Sequence, residues 1–430
     1  MFEHVRNAIP STARESGIVF AGDVLAKFLT FLITLLLLKL VTPAEYALYG
    51  VFITVLATVN QFTDSGLHAS FIRFFALYEK TDKHRAWAHL RFAWRVKIIA
   101  IVGTGILLFC TAPILAVHVF RMPALAFPFR LLSVGVVGSG IFEFSQAVFQ
   151  ARQEFARLTA LRVMESFGKI GVIVAGILGG MFSLNLVYSA YVTVPFVVGL
   201  AGAVSIRKEP DFASYGWKEI GREVVTFGRW MMLTSFSTMF LMRIDMFMLP
   251  PLLSNQPDEI GHYAAAVRLC TPLIVLTGSV STVFFPKAMA LRCLDDMRHY
   301  VRRTLQVTLP LIGLSMIYGA VIVLMIPSMF PNYTPSIPLF SILFIGYAWT
   351  IFGNPLTTLV LSIGRASAAA MISFVQLCLT VFSHYLFIRW LGALGAALST
   401  VLIWSIAGTV SLLYLYRHRH EIENITIPGK

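Results

Sequence analysis

The sequence predicts an all-α membrane protein in which twelve transmembrane helices form two six-helix lobes around a central cleft. The first observation is composition, because 57% of the 430 residues are apolar and only 13% are charged. Soluble domains are roughly 45–50% apolar and about 25% charged. The second is a series of apolar runs of about 20 residues, the length that spans a bilayer. The third is an internal repeat of six helices. A large soluble domain, and with it most soluble enzyme classes, is excluded.

The apolar runs are bounded by charged residues, proline or glycine, and each is long enough for one helix. Twelve spans place both termini on the same side of the membrane. The predicted spans are 17–41, 45–67, 97–120, 125–150, 161–182, 184–206, 229–253, 260–285, 304–329, 337–362, 366–388 and 392–416.

The formal net charge of +13 is explained by orientation rather than by nucleic-acid binding. Most basic residues fall in the two termini and in the connections that follow even-numbered helices, whereas the opposite side has only Arg121, Arg130 and Arg389. The positive-inside rule therefore predicts that both termini are cytoplasmic. Because the charges are dispersed over several loops, we expect no nucleic-acid partner.

A weak internal repeat relates the two halves. When the chain is shifted by 214 residues, the segment 43–77 aligns without gaps on 257–291, with eight identities in 35 positions. Composition alone would give roughly three. The repeat covers six helices, an even number, so the lobes share one orientation and are related by a pseudo-two-fold axis along the membrane normal. This plan is typical of transporters that work by rocking two bundles.

The repeat also predicts the domain bounds. We expect an N-terminal lobe at 1–206, a cytoplasmic amphipathic connector at 207–228, a C-terminal lobe at 229–416 and a cytoplasmic tail at 417–430. In the connector, the apolar residues Trp217, Ile220, Val224 and Phe227 share one helical face, as in helices that lie on a membrane surface.

Ionisable residues within spans are costly and mark either ion pairs or functional sites. A structural interpretation pairs Asp23 with Lys27, Glu165 with Lys169, and Asp245 with Arg243 or Arg268. A functional interpretation has Lys27, Arg243 and Arg268 bind an anionic headgroup, for which a diphosphate suits arginine and lysine. Asp23, Glu143 or Asp245 would then bind a coupling proton or sodium ion. Polar residues such as Asn60 and His384 would either meet sugar hydroxyls or form interhelical hydrogen bonds.

Several motifs resemble the polysaccharide transporter family, the O-antigen type of lipid-linked oligosaccharide flippase, in the multidrug/oligosaccharidyl-lipid/polysaccharide exporter superfamily. The resemblance covers nearly the whole chain, with one departure at Ala47, where the family often has glycine. The motifs are L-V-T-P-A-E-Y-A-L-Y-G at 40–50, T-D-S-G-L at 63–67, I-R-F-F-A at 72–76, R-I-D-M-F-M-L at 243–249, D-E-I-G-H-Y-A-A-A at 258–266 and G-A-L-G-A-A-L-S-T at 392–400.

The resemblance implies a flippase that moves undecaprenyl diphosphate-linked oligosaccharide to the outer leaflet for surface polysaccharide synthesis, with a polysaccharide polymerase as a possible partner. Two alternatives remain open at this point: a multidrug or cation antiporter of the same fold, and a membrane glycosyltransferase or polymerase. Short outer connections disfavour the enzyme. No phosphate-binding G-x-x-x-x-G-K-[ST] motif and no metal-ligand spacing of cysteines occurs, so we expect no cofactor.

Overall fold

The computed structural model describes residues 2–64, 67–79, 81–206, 216–289, 294–362 and 366–417, and within them the chain is helical almost throughout. No strand occurs in these ranges. The α-helices are α1 (Phe2–Leu40), α2 (Pro43–Asp64), α3 (Leu67–Tyr78), α4 (Lys83–Ile114), α5 (Ala126–Ala151), α6 (Phe155–Leu178), α7 (Leu184–Ser205), α8 (Trp217–Leu241), α9 (Ile244–Leu252), α10 (Pro257–Leu269), α11 (Thr271–Met289), α12 (Leu294–Met329), α13 (Ser336–Ser362) and α14 (Ala366–Arg417).

The chain forms two compact units, which confirms the predicted two-lobed, all-α class. Unit 1 contains the chain up to Ile33 together with Val51–Met239, and unit 2 contains Thr34–Gly50 together with the chain from Phe240 onward. Parts of α1 and α2 therefore group with the second unit. The predicted domain bounds stay a prediction, and residues 207–215 of the connector and 418–430 of the tail lie outside the described residues.

Each of the twelve predicted spans falls on a helix, although the count of twelve stays a prediction. Nine helical segments in the described ranges are long and apolar enough to cross a membrane. Helix α6 is not among them because it carries Arg157, Arg162, Glu165 and Lys169. The predicted seventh span is divided between α8 and α9. The last two spans lie on α14, which contains non-helical backbone at Gly392, with φ of 62°.

Close helix packing in unit 1 depends on glycines of α5 and α7. A Cβ atom on Gly199 would lie 2.8 Å from the backbone nitrogen of Phe142, and one on Gly138 would lie 2.6 Å from the Cβ of Phe196. Small residues at helix contacts let backbones approach, which is how membrane helices gain packing energy. The neighbouring core contains Phe149 and Leu158, both almost fully buried.

In unit 2, the beginning of α2 packs directly against α10. A Cβ atom on Gly261 would lie 1.8 Å from the carbonyl oxygen of Pro43, so the two backbones are in contact. The hydroxyl of Tyr333 donates to the carbonyl of Val41 over 3.0 Å, and its ring lies edge-on to Tyr46. Both repeats begin a helix at the equivalent proline, Pro43 in α2 and Pro257 in α10, as the 214-residue shift predicts.

Two helices of unit 2 are interrupted inside predicted spans. Residues Met242 and Arg243 form a turn between α8 and α9, and Arg243 has φ of −138° and ψ of −1°. The second interruption is at Cys270, between α10 and α11. It follows from Pro272, which lacks the N–H that would bond to the carbonyl of Arg268 four residues earlier. The carbonyl of Leu269 accepts a hydrogen bond from the Tyr318 hydroxyl over 2.6 Å, which partly compensates the break.

Candidate functional site

The interruption between α8 and α9 positions Arg243 at the amino end of a new helix. Its side chain is half-buried and interacts electrostatically with Arg268 and with Asp245. The amino terminus of α9 adds the positive end of a helix dipole. In membrane transporters, irregular backbone at membrane depth lines cavities, and half-helix amino termini point at anionic groups.

The second arginine lies at the second interruption. Arg268 is in the last turn of α10, is half-buried, and interacts electrostatically with Tyr46 and Tyr347. The structure therefore brings together three of the residues that the sequence singled out, Arg243, Asp245 and Arg268, within unit 2. Their formal charges sum to +1, an arrangement that favours an anionic ligand.

Asp245 differs in its bonding from the ion pair that the sequence suggested. One carboxylate oxygen accepts a hydrogen bond from the hydroxyl of Tyr263 over 2.7 Å, and the other accepts one from the backbone nitrogen of Met246 over 2.7 Å. A phenol and a backbone amide thus orient the carboxylate, while its interaction with Arg243 is electrostatic. The local bond from Asp245 to the next residue also competes with regular helix at the start of α9.

Beyond Asp245, a line of hydrogen-bonding groups continues into the interior of unit 2. Thr400 interacts with Tyr263, and its Oγ1 lies 3.3 Å from Nε2 of His384. The ring of His384 is 1% exposed, and its Nδ1 lies 2.8 Å from the Ser399 hydroxyl and 2.9 Å from the Thr380 carbonyl. The structure thus favours the hydrogen-bonding interpretation of His384 over contact with a sugar.

The sequence-predicted residues of unit 1 have different environments. Lys27 is exposed, and it makes no hydrogen bond or ion pair within the described part of the chain. Asp23 pairs with Arg162, at 2.7 Å, and not with Lys27 as the spacing suggested. The same guanidinium donates through Nε to Gln146 over 2.7 Å. Partners four residues apart on one helix were possible, but a longer arginine from α6 reaches the carboxylate instead.

The predicted pair of Glu165 and Lys169 is confirmed. The two side chains are in contact one turn apart on α6, and the Lys169 ammonium lies 4.5 Å from the centre of the Tyr191 ring. This spacing brings opposite charges together on one helix face. Asn60 likewise accepts a hydrogen bond from the Ser139 hydroxyl over 2.7 Å, which ties α2 to α5.

Sequence reasoning missed Lys97. Lys97 stands at the boundary between a cytoplasmic connection and the predicted span 97–120, but α4 is continuous from Lys83, and the Lys97 side chain is buried in unit 1. Its ammonium donates to Glu143 over 3.0 Å and to the Thr63 hydroxyl over 3.2 Å. The pair lines a pocket of about 270 Å³ together with Asp64 and His68. The detectable signal was the long helical continuation of the fourth helix before the apolar run.

No group of histidine, cysteine, aspartate and glutamate side chains suited to a metal ion occurs among the described residues. The embedded acids Asp23, Glu143 and Glu165 of unit 1 are instead each paired with a base. The candidate functional site is therefore the cluster of Arg243, Asp245 and Arg268 in unit 2. The assignment of Lys27, in unit 1, as a substrate-binding residue stays a prediction.

Comparison with known proteins gives one family match and a consistent fold. The profile of a family described as "Polysaccharide biosynthesis protein" matches residues 36–330, more than half of the chain. Among curated protein sequences, none matches this chain.

Three solved structures show the fold. A multidrug resistance transporter of the MATE family, in an inward-facing conformation, has a TM-score of 0.74 at 16% identity and covers 95% of this chain and 96% of its own. The lipid II flippase MurJ, in an inward closed conformation, has a TM-score of 0.68 at 14% identity, with coverage of 95% and 90%. A superfamily transporter from Pyrococcus furiosus with a binding pocket of reversed polarity scores 0.59 at 16% identity, covering 96% of both chains.

Proposed function

We propose a specific function for this chain, which belongs to the polysaccharide biosynthesis protein family and has the fold of membrane transporters and flippases. The chain translocates undecaprenyl diphosphate-linked oligosaccharide from the cytoplasmic to the outer leaflet of the bacterial inner membrane. The product serves surface polysaccharide synthesis, such as O-antigen or lipopolysaccharide, with a polysaccharide polymerase as the next partner. The chain is a carrier and not a catalyst, and both termini are cytoplasmic.

The observation that carries this proposal is the position of the two arginines. Arg243 and Arg268 each lie at a helix interruption inside a predicted span of unit 2. An embedded cation is costly unless it has an anionic partner or a function, and here two of them lie close enough to interact with each other. A diphosphate offers oxygens that a guanidinium clamps through two parallel hydrogen bonds. A lipid-linked diphosphate satisfies both the charge and the membrane depth.

The proposed mechanism is alternating access. The diphosphate binds Arg243 and Arg268, while the polyprenyl chain stays in lipid; Lys27 stays a predicted substrate-binding residue. Three carboxylates are candidates for coupling to a proton or cation. Two of them, Asp23 and Glu143, are held by Arg162 and Lys97, and the third is Asp245. An inside-negative potential favours outward movement of the anion by about 2.3 kcal/mol per charge per 100 mV.

The first test is substitution of the two arginines in cells that make surface polysaccharide. Arg243→Ala and Arg268→Ala are each expected to reduce polymer at least tenfold while the protein remains in the membrane. Arg389→Ala is the matched control, because this arginine bonds Tyr385 at an exposed position of α14. Normal polymer in both arginine variants would contradict the proposal.

The multidrug alternative makes a different prediction for the same variants. A cation exporter would extrude dyes such as ethidium from cells, and removal of embedded positive charge would preserve or increase that export. We expect no dye export above an empty-vector control. Dye export that survives Arg243→Ala, together with unchanged polymer, would favour the multidrug function over the flippase.

A further inference from the structure

The two acidic side chains in the first turns of α8 are both engaged by α4 of unit 1. Nη2 of Arg85 lies 3.2 Å from Glu219 and also contacts Glu223. The other carboxylate oxygen of Glu223 lies 3.0 Å from Nε2 of His89, whose side chain is buried. The negative charges of this segment are therefore directed at α4 and balanced there.

The opposite flank of α8 packs about two turns further along α4. The ring centroids of Trp217 and Phe92 are 4.4 Å apart, and a Cβ atom on Gly221 would lie 3.3 Å from the Phe92 ring. The guanidinium carbon of Arg95 lies 5.8 Å from the centroid of Trp217. Helix α8 thus begins across α4, with its acidic flank towards the start of α4 and Trp217 towards the predicted span 97–120.

The basic side chains of the same region are exposed and have no acidic partner. Arg95, Lys218 and Arg222 make no ion pair within the described part of the chain. Trp217, which lies between Arg95 and Lys218, is 46% exposed. The apolar side chain of Ile99, one turn after Arg95 on α4, is 69% exposed. Unbalanced positive charge, a tryptophan and an apolar helix face therefore adjoin at the end of a predicted span.

We propose that Arg95, Trp217 and Lys218 form a binding site for an anionic phospholipid of the bilayer. The phosphate oxygens bind the guanidinium of Arg95 and the ammonium of Lys218, two groups that carry the charge complementary to such a headgroup. Tryptophan favours the headgroup level of a membrane because its ring is amphipathic. The acyl chains lie along the apolar face of α4 that includes Ile99. This lipid stays bound and is not transported, so the site is additional to the proposed function.

Native mass spectrometry of the purified full chain tests the site. The chain in detergent is offered equal amounts of phosphatidylglycerol, which is anionic, and phosphatidylcholine, which is zwitterionic. The wild type should retain phosphatidylglycerol preferentially. Each basic residue strengthens attraction to anionic lipid about fivefold, so Arg95→Gln/Lys218→Gln should retain at least tenfold less phosphatidylglycerol, with phosphatidylcholine unchanged. Equal retention by this variant and the wild type, or no preference in the wild type, would overturn the proposal.

A charge-matched variant separates this site from the general positive charge of the chain. Lys83→Gln/Arg157→Gln removes two cations from exposed positions of α4 and α6 in the same unit. It should retain as much phosphatidylglycerol as the wild type. Because all four substituted residues are exposed, both variants should fold. A loss in the control equal to that in Arg95→Gln/Lys218→Gln would overturn the proposal.

Two further measurements distinguish the phospholipid from the transported lipid. Arg243→Ala/Arg268→Ala should retain phosphatidylglycerol like the wild type, so failure of the flippase function and failure of this site are separable. Undecaprenyl diphosphate added in equal amount should leave the bound phosphatidylglycerol in place. Displacement of the phospholipid would assign Arg95, Trp217 and Lys218 to the transported lipid and overturn the proposal.

Discussion

The two units differ in how their embedded charged side chains are arranged. In unit 1, the three embedded acids that the sequence singled out each contact one base: Asp23 with Arg162, Glu143 with Lys97, and Glu165 with Lys169. In unit 2, Arg243 interacts with both Arg268 and Asp245, and that aspartate is bonded to a tyrosine. Pairs of opposite charge tie helices together, whereas two cations brought together at breaks in helices suit an anionic ligand.

The internal repeat allows equivalent positions of the two halves of the chain to be compared. One repeat before Arg243 is Leu29, and one repeat before Arg268 is Thr54. Helix α1 runs without a break through Leu29, and α2 through Thr54. The interruptions of unit 2 therefore coincide with positions where a charged residue replaces an uncharged one. The two halves thus differ in charge at the positions where we place the anion.

Loss of Lys97 should have the largest effect on stability. This substitution tests whether the ion pairs of unit 1 are structural. Lys97→Met leaves the Glu143 carboxylate without its partner and should lower the free energy of unfolding by roughly 3 kcal/mol. Thermal unfolding in detergent measures this as a fall in the apparent Tm. The double variant Lys97→Met/Glu143→Gln removes both charges and should recover most of the loss.

The same two variants also examine the coupling role of Glu143. If the double variant is stable and still supports surface polysaccharide, the pair is a structural tie. A stable double variant that no longer supports polymer would show that the ion pair of unit 1 takes part in transport. The ion pairs of unit 1 would then not be purely structural.

Removal of the helix break between α10 and α11 tests whether that interruption in unit 2 is needed for function. Pro272→Ala restores the N–H that can bond the Arg268 carbonyl, so α10 and α11 should join and Arg268 should move. We expect about tenfold less polymer, with stability unchanged or slightly increased. Pro310→Ala is the matched control, because Pro310 lies inside α12 without a break. Full activity in Pro272→Ala would show that the interruption is not needed.

The smallest effect is expected at the half-exposed pair of Asp23 and Arg162. Their side chains are 37% and 30% exposed, and such pairs contribute about 0–1 kcal/mol. Asp23→Asn should therefore leave both the Tm and the polymer near wild-type values. Loss of polymer with normal protein in the membrane would identify Asp23 as a coupling residue and move part of the mechanism into unit 1.

Much of the fold could be predicted because membrane helices follow from length and hydropathy alone. The two lobes are confirmed, and both repeats start a helix at the equivalent proline. The break at Cys270 also had a visible cause in Pro272. The break at Arg243 did not, because no proline precedes it and the apolar run continues across it.

The candidate site was only partly predictable, since partners across helices depend on packing. Arg243, Asp245 and Arg268 were identified by their depth, and the structure brings them together. The pairing of Asp23 with Arg162 was missed because spacing favours a neighbour on the same helix. Lys97 was missed because a charged helix extension resembles a loop in sequence.

The most direct measurement is translocation of an undecaprenyl diphosphate-linked oligosaccharide in proteoliposomes that contain the purified chain. Transfer between leaflets is followed by the accessibility of the sugar to a glycosidase added outside. We expect wild-type transfer at a rate well above that of empty liposomes. Arg389→Ala should give the same rate as the wild type, and Arg243→Ala/Arg268→Ala a rate at least tenfold lower. Equal transfer by the wild type and the double arginine variant would contradict the proposed function.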